Sequence, residues 1–136
     1  MYINRLKQDH DVFLAFVTKL RNLAQAGVLQ NSGAICEIIN GISSRIKVHL
    51  AIEDRILYPE LLKSSDPAIA NISKVFQSEM NGIAAAYTEF ARKWNNSSRV
   101  AANPDEFKKE ADAIFEALHA RIQRENKELY PLAERV

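Results

Sequence analysis

Apolar residues recur at helical spacing through four stretches of this chain, and turn-forming residues separate those stretches at three places. The first stretch, about Asn4 to Gln25, carries Ile3, Leu6, Phe13, Val17, Leu20 and Ala24 on one stripe and stops at Gly27, a residue suited to a left-handed C-cap. The second opens after Asn31-Ser32-Gly33 and runs to about Leu62. Asp66-Pro67 then offers an N-cap with proline at the first helical position, starting a stripe of Ile69, Ile72, Phe76, Ile83, Tyr87, Phe90 and Trp94. Asn95-Asn96-Ser97-Ser98 reads as a loop, and Asn103-Pro104-Asp105-Glu106 as a capping-box start. The last stripe is Phe107, Ala111, Ile114, Leu118, Leu129 and Leu132. Such stripes are stable only when buried against one another, and short connections make sequential helices antiparallel neighbours. The expectation is an all-α, up-down-up-down antiparallel four-helix bundle forming one domain over residues 1–136.

A chain of 136 residues can bury a core of its own. Its net charge of +1, with no basic stripe, argues against nucleic acid or an anionic membrane as partner. Cys36 is the only cysteine, so no internal disulfide forms. No run approaches membrane-spanning length and the opening Met1-Tyr2-Ile3-Asn4-Arg5-Leu6 lacks a signal-peptide core, which points to the cytoplasm.

Extending each stripe through its gaps places polar groups inside the bundle. The series Ile3, Leu6, His10, Phe13 turns His10 inward; Ile42, Ile46, His49, Glu53, Ile56 turns His49 and Glu53 inward; Ile114, Leu118, Arg121, Glu125, Leu129 does the same for Arg121 and Glu125. The third helix offers Met80 at that level. Buried charges are costly unless paired or bound to metal, so a cluster drawn from three helices implies metal binding, mutual pairing or both.

The two halves of the chain also echo each other. His49-x-x-x-Glu53 and Arg121-x-x-x-Glu125 are each followed, after three intervening residues, by Leu-Tyr-Pro. Proline late in a helix removes an amide donor and tilts or ends the helix. Two helices with the same device imply a pseudo-twofold site between them.

With Leu6-Lys7-Gln8-Asp9-His10, the His49/Glu53 pair and its tail, and Glu125 with the second tail, the chain resembles the hemerythrin-like (HHE cation-binding) family over nearly its whole length. In that family a first-helix histidine, two HxxxE pairs on the second and fourth helices and a third-helix histidine commonly hold two iron ions. The resemblance implies metal-ligand roles for His10, His49, Glu53 and Glu125. Arg121 stands where the family has the helix-4 histidine, and Met80 where it has the helix-3 histidine. His119 lies about 160° around the helix from Arg121 and reads as a flanking residue. A thioether suits copper(I) better than a carboxylate-rich iron site, so Met80 reads as a core filler. A guanidinium stays protonated and has no lone pair for a metal, but it can bridge Glu53 and Glu125.

The expected function is therefore a metal-free or metal-poor binding or regulatory module, a degenerate diiron site turned into a buried Arg-Glu-His network. The alternative is a residual site for a single iron or other divalent metal, used in sensing oxygen, nitric oxide or iron. An enzyme such as a diiron oxidase is the weakest reading, because it needs ligands this chain lacks, and a neighbouring arginine that favours both carboxylates ionised argues against a proton donor. A homodimer or a regulatory protein is the expected kind of partner.

Overall fold

The computed structural model describes residues 2–135; Met1 and Val136, the ends of the expected domain, lie outside the described residues. Among the described residues the structure is helical throughout, with no strand. Helix α1 spans Tyr2–Gly27. Helix α2 is an α-helix over Ser32–Ile52, a π-helical turn at Glu53–Leu57 and a final α-helical segment Tyr58–Leu62. Helix α3 spans Pro67–Trp94 and the short α4 Ser97–Ala102. Helix α5 repeats the composite build of α2: Pro104–Arg124, a π-helical turn at Glu125–Leu129, then Tyr130–Arg135.

The ends follow local chemistry, with some differences from expectation. Gly27 has φ +143°, where a side chain is strained. Asn31 does not cap α2 with its side chain; its amide instead donates to the carbonyls of Gly27 (2.9 Å) and Leu23 (3.2 Å), closing the end of α1. Asp66 caps α3 as expected, accepting from the Ala68 amide at 2.9 Å. The segment read as a loop at 95–98 is only partly one. Asn96 accepts from the Arg99 amide, starting α4 at Ser97, and α4 buries Val100. The capping box at Asn103 does not form either, because the Asn103 side chain donates back to the Arg99 carbonyl.

The interior has two apolar regions with a polar layer between them. The larger is built on Leu20, Ile39, Tyr87, Trp94, Phe107 and Phe115, which places Trp94 and Phe115 in the core. The smaller is built on Ile3, Leu6, Leu57, Leu61, Phe76 and Leu129. Each fully buried large side chain contributes about 1.5–3 kcal/mol, so the apolar ends hold the polar layer in place. Near the two ends of the molecule, Tyr2 bonds Glu60 and Lys7 pairs with Glu134, while Cys36 reaches the Trp94 carbonyl at 3.3 Å.

Two stripe residues turn outward. Ile72 is 40% exposed, since the face of α3 that points inward runs through Ser73, Phe76 and Met80. Ile56 is also 40% exposed, and its cause is the π turn. Pro59 has no amide to donate and its ring crowds the carbonyl four residues back. The backbone widens, and the Tyr58 amide donates to the Glu53 carbonyl, five residues back. Tyr130 and Glu125 do the same ahead of Pro131. The wider turn brings residue i+5 onto the face of residue i. Leu57 and Tyr58, not Ile56, therefore sit beneath Glu53, and Tyr130 sits beneath Glu125.

Candidate metal centre

Five polar side chains turned inward by their stripes are buried in the middle layer: His10, His49, Glu53, Arg121 and Glu125, each 3% exposed or less. His10 comes from α1, His49 and Glu53 from α2, Arg121 and Glu125 from α5. Met80 of α3 is buried beside them and lines, with His10, His49, Arg121 and Glu125, a cavity of about 30 Å³. That space suits about one or two water molecules.

Each imidazole has an acceptor at both nitrogens. His10 Nε2 lies 2.9 Å from Glu125 Oε1 and its Nδ1 2.8 Å from Asn126 Oδ1. His49 Nε2 lies 3.3 Å from Glu53 Oε2 and its Nδ1 3.1 Å from Asp9 Oδ2. Asp9 and Asn126 thus orient the rings so that both Nε2 atoms face the interior, the arrangement by which outer groups fix metal-ligating histidines. Neither residue stands out in the sequence; the one signal is the position of Asp9 directly before His10.

Arg121 lies inward, but its contacts differ from the expected bridge. Its Nε donates to Glu125 Oε2 at 2.9 Å, and one terminal nitrogen donates to the Phe76 carbonyl (2.8 Å) and the Tyr58 hydroxyl (3.1 Å). The other terminal nitrogen is 3.7 Å from Glu79 Oε2. Its Cζ lies 4.6 Å from the centre of the Phe76 ring, a cation–π contact. The guanidinium reaches the Phe76 carbonyl of α3 and the Tyr58 hydroxyl at the end of α2, and it pairs with Glu125 and not with Glu53. Glu53 bonds His49 and Tyr130 instead.

The electrostatics follow from these pairings. Burial would raise Glu125, but the His10 hydrogen bond and the Arg121 charge hold it below the usual carboxylate range. Glu53, without an arginine, is pushed up by burial and by the Glu125 charge. Burial opposes charge on His49, yet the Glu53 bond and the surrounding carboxylates lift it above the ordinary imidazole value. Burial and the same carboxylates raise the phenols of Tyr58 and Tyr130, keeping both protonated.

His10, His49 and Glu125 each present a ligand atom within 4.8 Å of the other two. Two imidazole nitrogens and a carboxylate oxygen are a donor set for one first-row cation. Glu53, the fourth expected ligand, is not in that group, but its Oε1 is buried with no hydrogen-bond partner among the described residues. On the Arg121 side the groups are a guanidinium, which only donates, and a thioether, so donors for a second hard cation do not fit there. His119 is exposed and contacts Gln123; it lines the same cavity but is not one of the three grouped ligand residues.

Buried histidines and carboxylates from three helices, meeting in one layer, are the arrangement the motifs implied. The family model of the hemerythrin HHE cation binding domain matches residues 1–133. The chain belongs to the hemerythrin family. Neither a curated protein nor a solved structure gives a match. No helix among the described residues is long and apolar enough to cross a membrane. Met80 and Arg121 of this hemerythrin domain are both buried in the polar layer.

Proposed function

We propose that this hemerythrin domain is a binding or regulatory module with a degenerate diiron centre, in which the Arg121 guanidinium takes the place of one cation. The site is then metal-free or metal-poor, holding at most one ion. One observation carries the reading: Arg121 is 3% exposed and bonded to Glu125, to the Phe76 carbonyl and to the Tyr58 hydroxyl. A permanent charge fixed by that many partners is costly to remove and repels an ion beside it. The proposal includes one domain over residues 1–136 in up-down-up-down order, supported by the contacts at the helix ends. It also includes a cytoplasmic setting and a protein partner, either a second copy or a regulated protein.

A second reading has its own support in the His10, His49, Glu125 group and the unpartnered Glu53 oxygen. Here the imidazole side keeps a single iron or other divalent metal and senses oxygen, nitric oxide or iron.

The double variant Arg121→His with Met80→His tests the degenerate centre. Purified with iron supplied, it should gain iron over the parent, toward two ions per chain. A folded double variant with no more iron than the parent would contradict the assignment of these two positions.

A further inference from the structure

The Tyr130 hydroxyl lies among the ligand-type atoms of the candidate centre. Its oxygen is 2.9 Å from Glu53 Oε2, 3.1 Å from His10 Nε2, and 3.4 Å from both His49 Nε2 and Glu125 Oε1. A phenol has one proton to donate and at most two lone pairs to accept with. Four polar neighbours from three helices exceed that capacity, so hydrogen bonding alone does not account for the arrangement. The buried Glu53 Oε1, without a partner among the described residues, is a second sign of an unfilled demand in the same place.

The ring has no alternative position. Tyr130 is fully buried, packs within the smaller apolar region and stacks on His10 with centroids 5.2 Å apart and planes 18° from parallel. The π turn before Pro131 sets its backbone. A cation that reaches His10, His49 and Glu125 therefore meets the phenolic oxygen already in place.

Resting on the reading that the imidazole side still takes one ion, we propose that the Tyr130 phenolic oxygen is a ligand of that ion, which makes the site a ferric one. On binding, the Tyr130 O–H bond breaks and an O–Fe bond forms. That proton, with any proton carried on the imidazole Nε2 atoms, leaves to solvent. Iron enters as ferric, so its oxidation state does not change and no oxidant is needed. A hard, anionic oxygen added to two carboxylates favours a trivalent ion over a softer divalent one. Tyr58, the equivalent residue of the other copy, is the internal control: its hydroxyl accepts from Arg121, the cation on its side of the layer.

The test is titration of the parent, Tyr130→Phe and Tyr58→Phe with ferric citrate, read by bound iron, visible absorption and resonance Raman. The parent and Tyr58→Phe should take up to one ferric ion per chain and show a phenolate-to-iron band with enhanced phenolate ring modes. Tyr130→Phe should lose band and modes and bind iron about tenfold more weakly or worse, on the scale by which supporting groups tune metal sites. An iron-loaded parent without the band, a band that survives in Tyr130→Phe, or a parent that binds no ferric iron each overturns the ligand role and leaves the degenerate-centre reading standing. Two ferric ions per chain in the parent would overturn the degenerate-centre reading instead, with the band still deciding the role of Tyr130. If Tyr130→Phe does not fold, the ring modes of the loaded parent and of Tyr58→Phe decide alone.

Discussion

The two copies of the helical device share a backbone and differ in charge. In α2 and in α5 a glutamate opens a π-helical turn that ends at Leu-Tyr-Pro, and both tyrosines are buried. The residue four before the glutamate is His49 in one copy and Arg121 in the other. Around His49 the contacts are carboxylates and the Tyr130 hydroxyl, all able to accept from a proton or to hold a metal. Around Arg121 they are Glu125, a backbone carbonyl and the Tyr58 hydroxyl, all held as acceptors by a charge that cannot leave. On the reading proposed above, one scaffold serves an exchangeable cation on one side and a covalently attached one on the other.

Arg121→Ala should have the largest effect. It leaves Glu125 and the Phe76 carbonyl without their donor inside the core, and loss of one partner of a buried pair costs about 3–5 kcal/mol. Urea unfolding of chelator-treated protein should show a loss of that size. A loss under about 1 kcal/mol, typical of exposed pairs, would mean the guanidinium is not held as described.

Next in size is the tyrosine pair. Tyr58→Phe removes an acceptor from a charged donor, and such bonds contribute about 1.5–3 kcal/mol. The metal-free protein should lose stability in that range. The loss should largely disappear when Tyr58→Phe is made in an Arg121→Met background, where the donor is gone; equal losses in both backgrounds would separate Tyr58 from Arg121.

The smallest effect is in the pH dependence of the metal-free protein, where the copies pull in opposite directions. Glu125 is lowered from its ordinary 4.5, so its contribution is present above that value and is lost as pH falls through the folded one. His49 is raised from 6.5, so its contribution is complete below that value and is lost as pH rises through the folded one. Glu53, also raised, adds to the loss on the way up. Stability should therefore peak in mildly acidic solution, and His49→Gln should flatten the alkaline side while leaving the acid side. Denaturation midpoints across pH would show it; an unchanged alkaline side in that variant would contradict the pairing of His49 with Glu53 and Asp9.

Much of the polar layer is legible in the amino-acid sequence, because burial follows helical period. His10, His49, Arg121 and Glu125 sit where the stripes of Leu6, Ile46 and Leu118 continue, and those stripes are straight α-helix up to that point. The period fails one turn later. A π turn shifts the phase of everything after it, so Ile56 faces out and Tyr58 faces in, and in α5 the same shift aims Tyr130 into the centre. The Leu-Tyr-Pro repeat signals a bend through its proline, but the direction of the tyrosine depends on how the backbone absorbs the missing amide. Asp9 and Asn126 are hidden for another reason. Each follows or precedes a stripe residue by one position and reaches its histidine from the flank, where polar residues are ordinarily solvated.

Iron content per chain, measured on protein produced with iron supplied, decides whether the Arg121 guanidinium takes the place of one cation. With the Arg121 guanidinium in the place of one cation, the count should be at most one per chain, and Arg121→His with Met80→His should raise it. Two tightly held irons in the unmodified protein would show that Arg121 leaves room for both, and the degenerate centre would be contradicted.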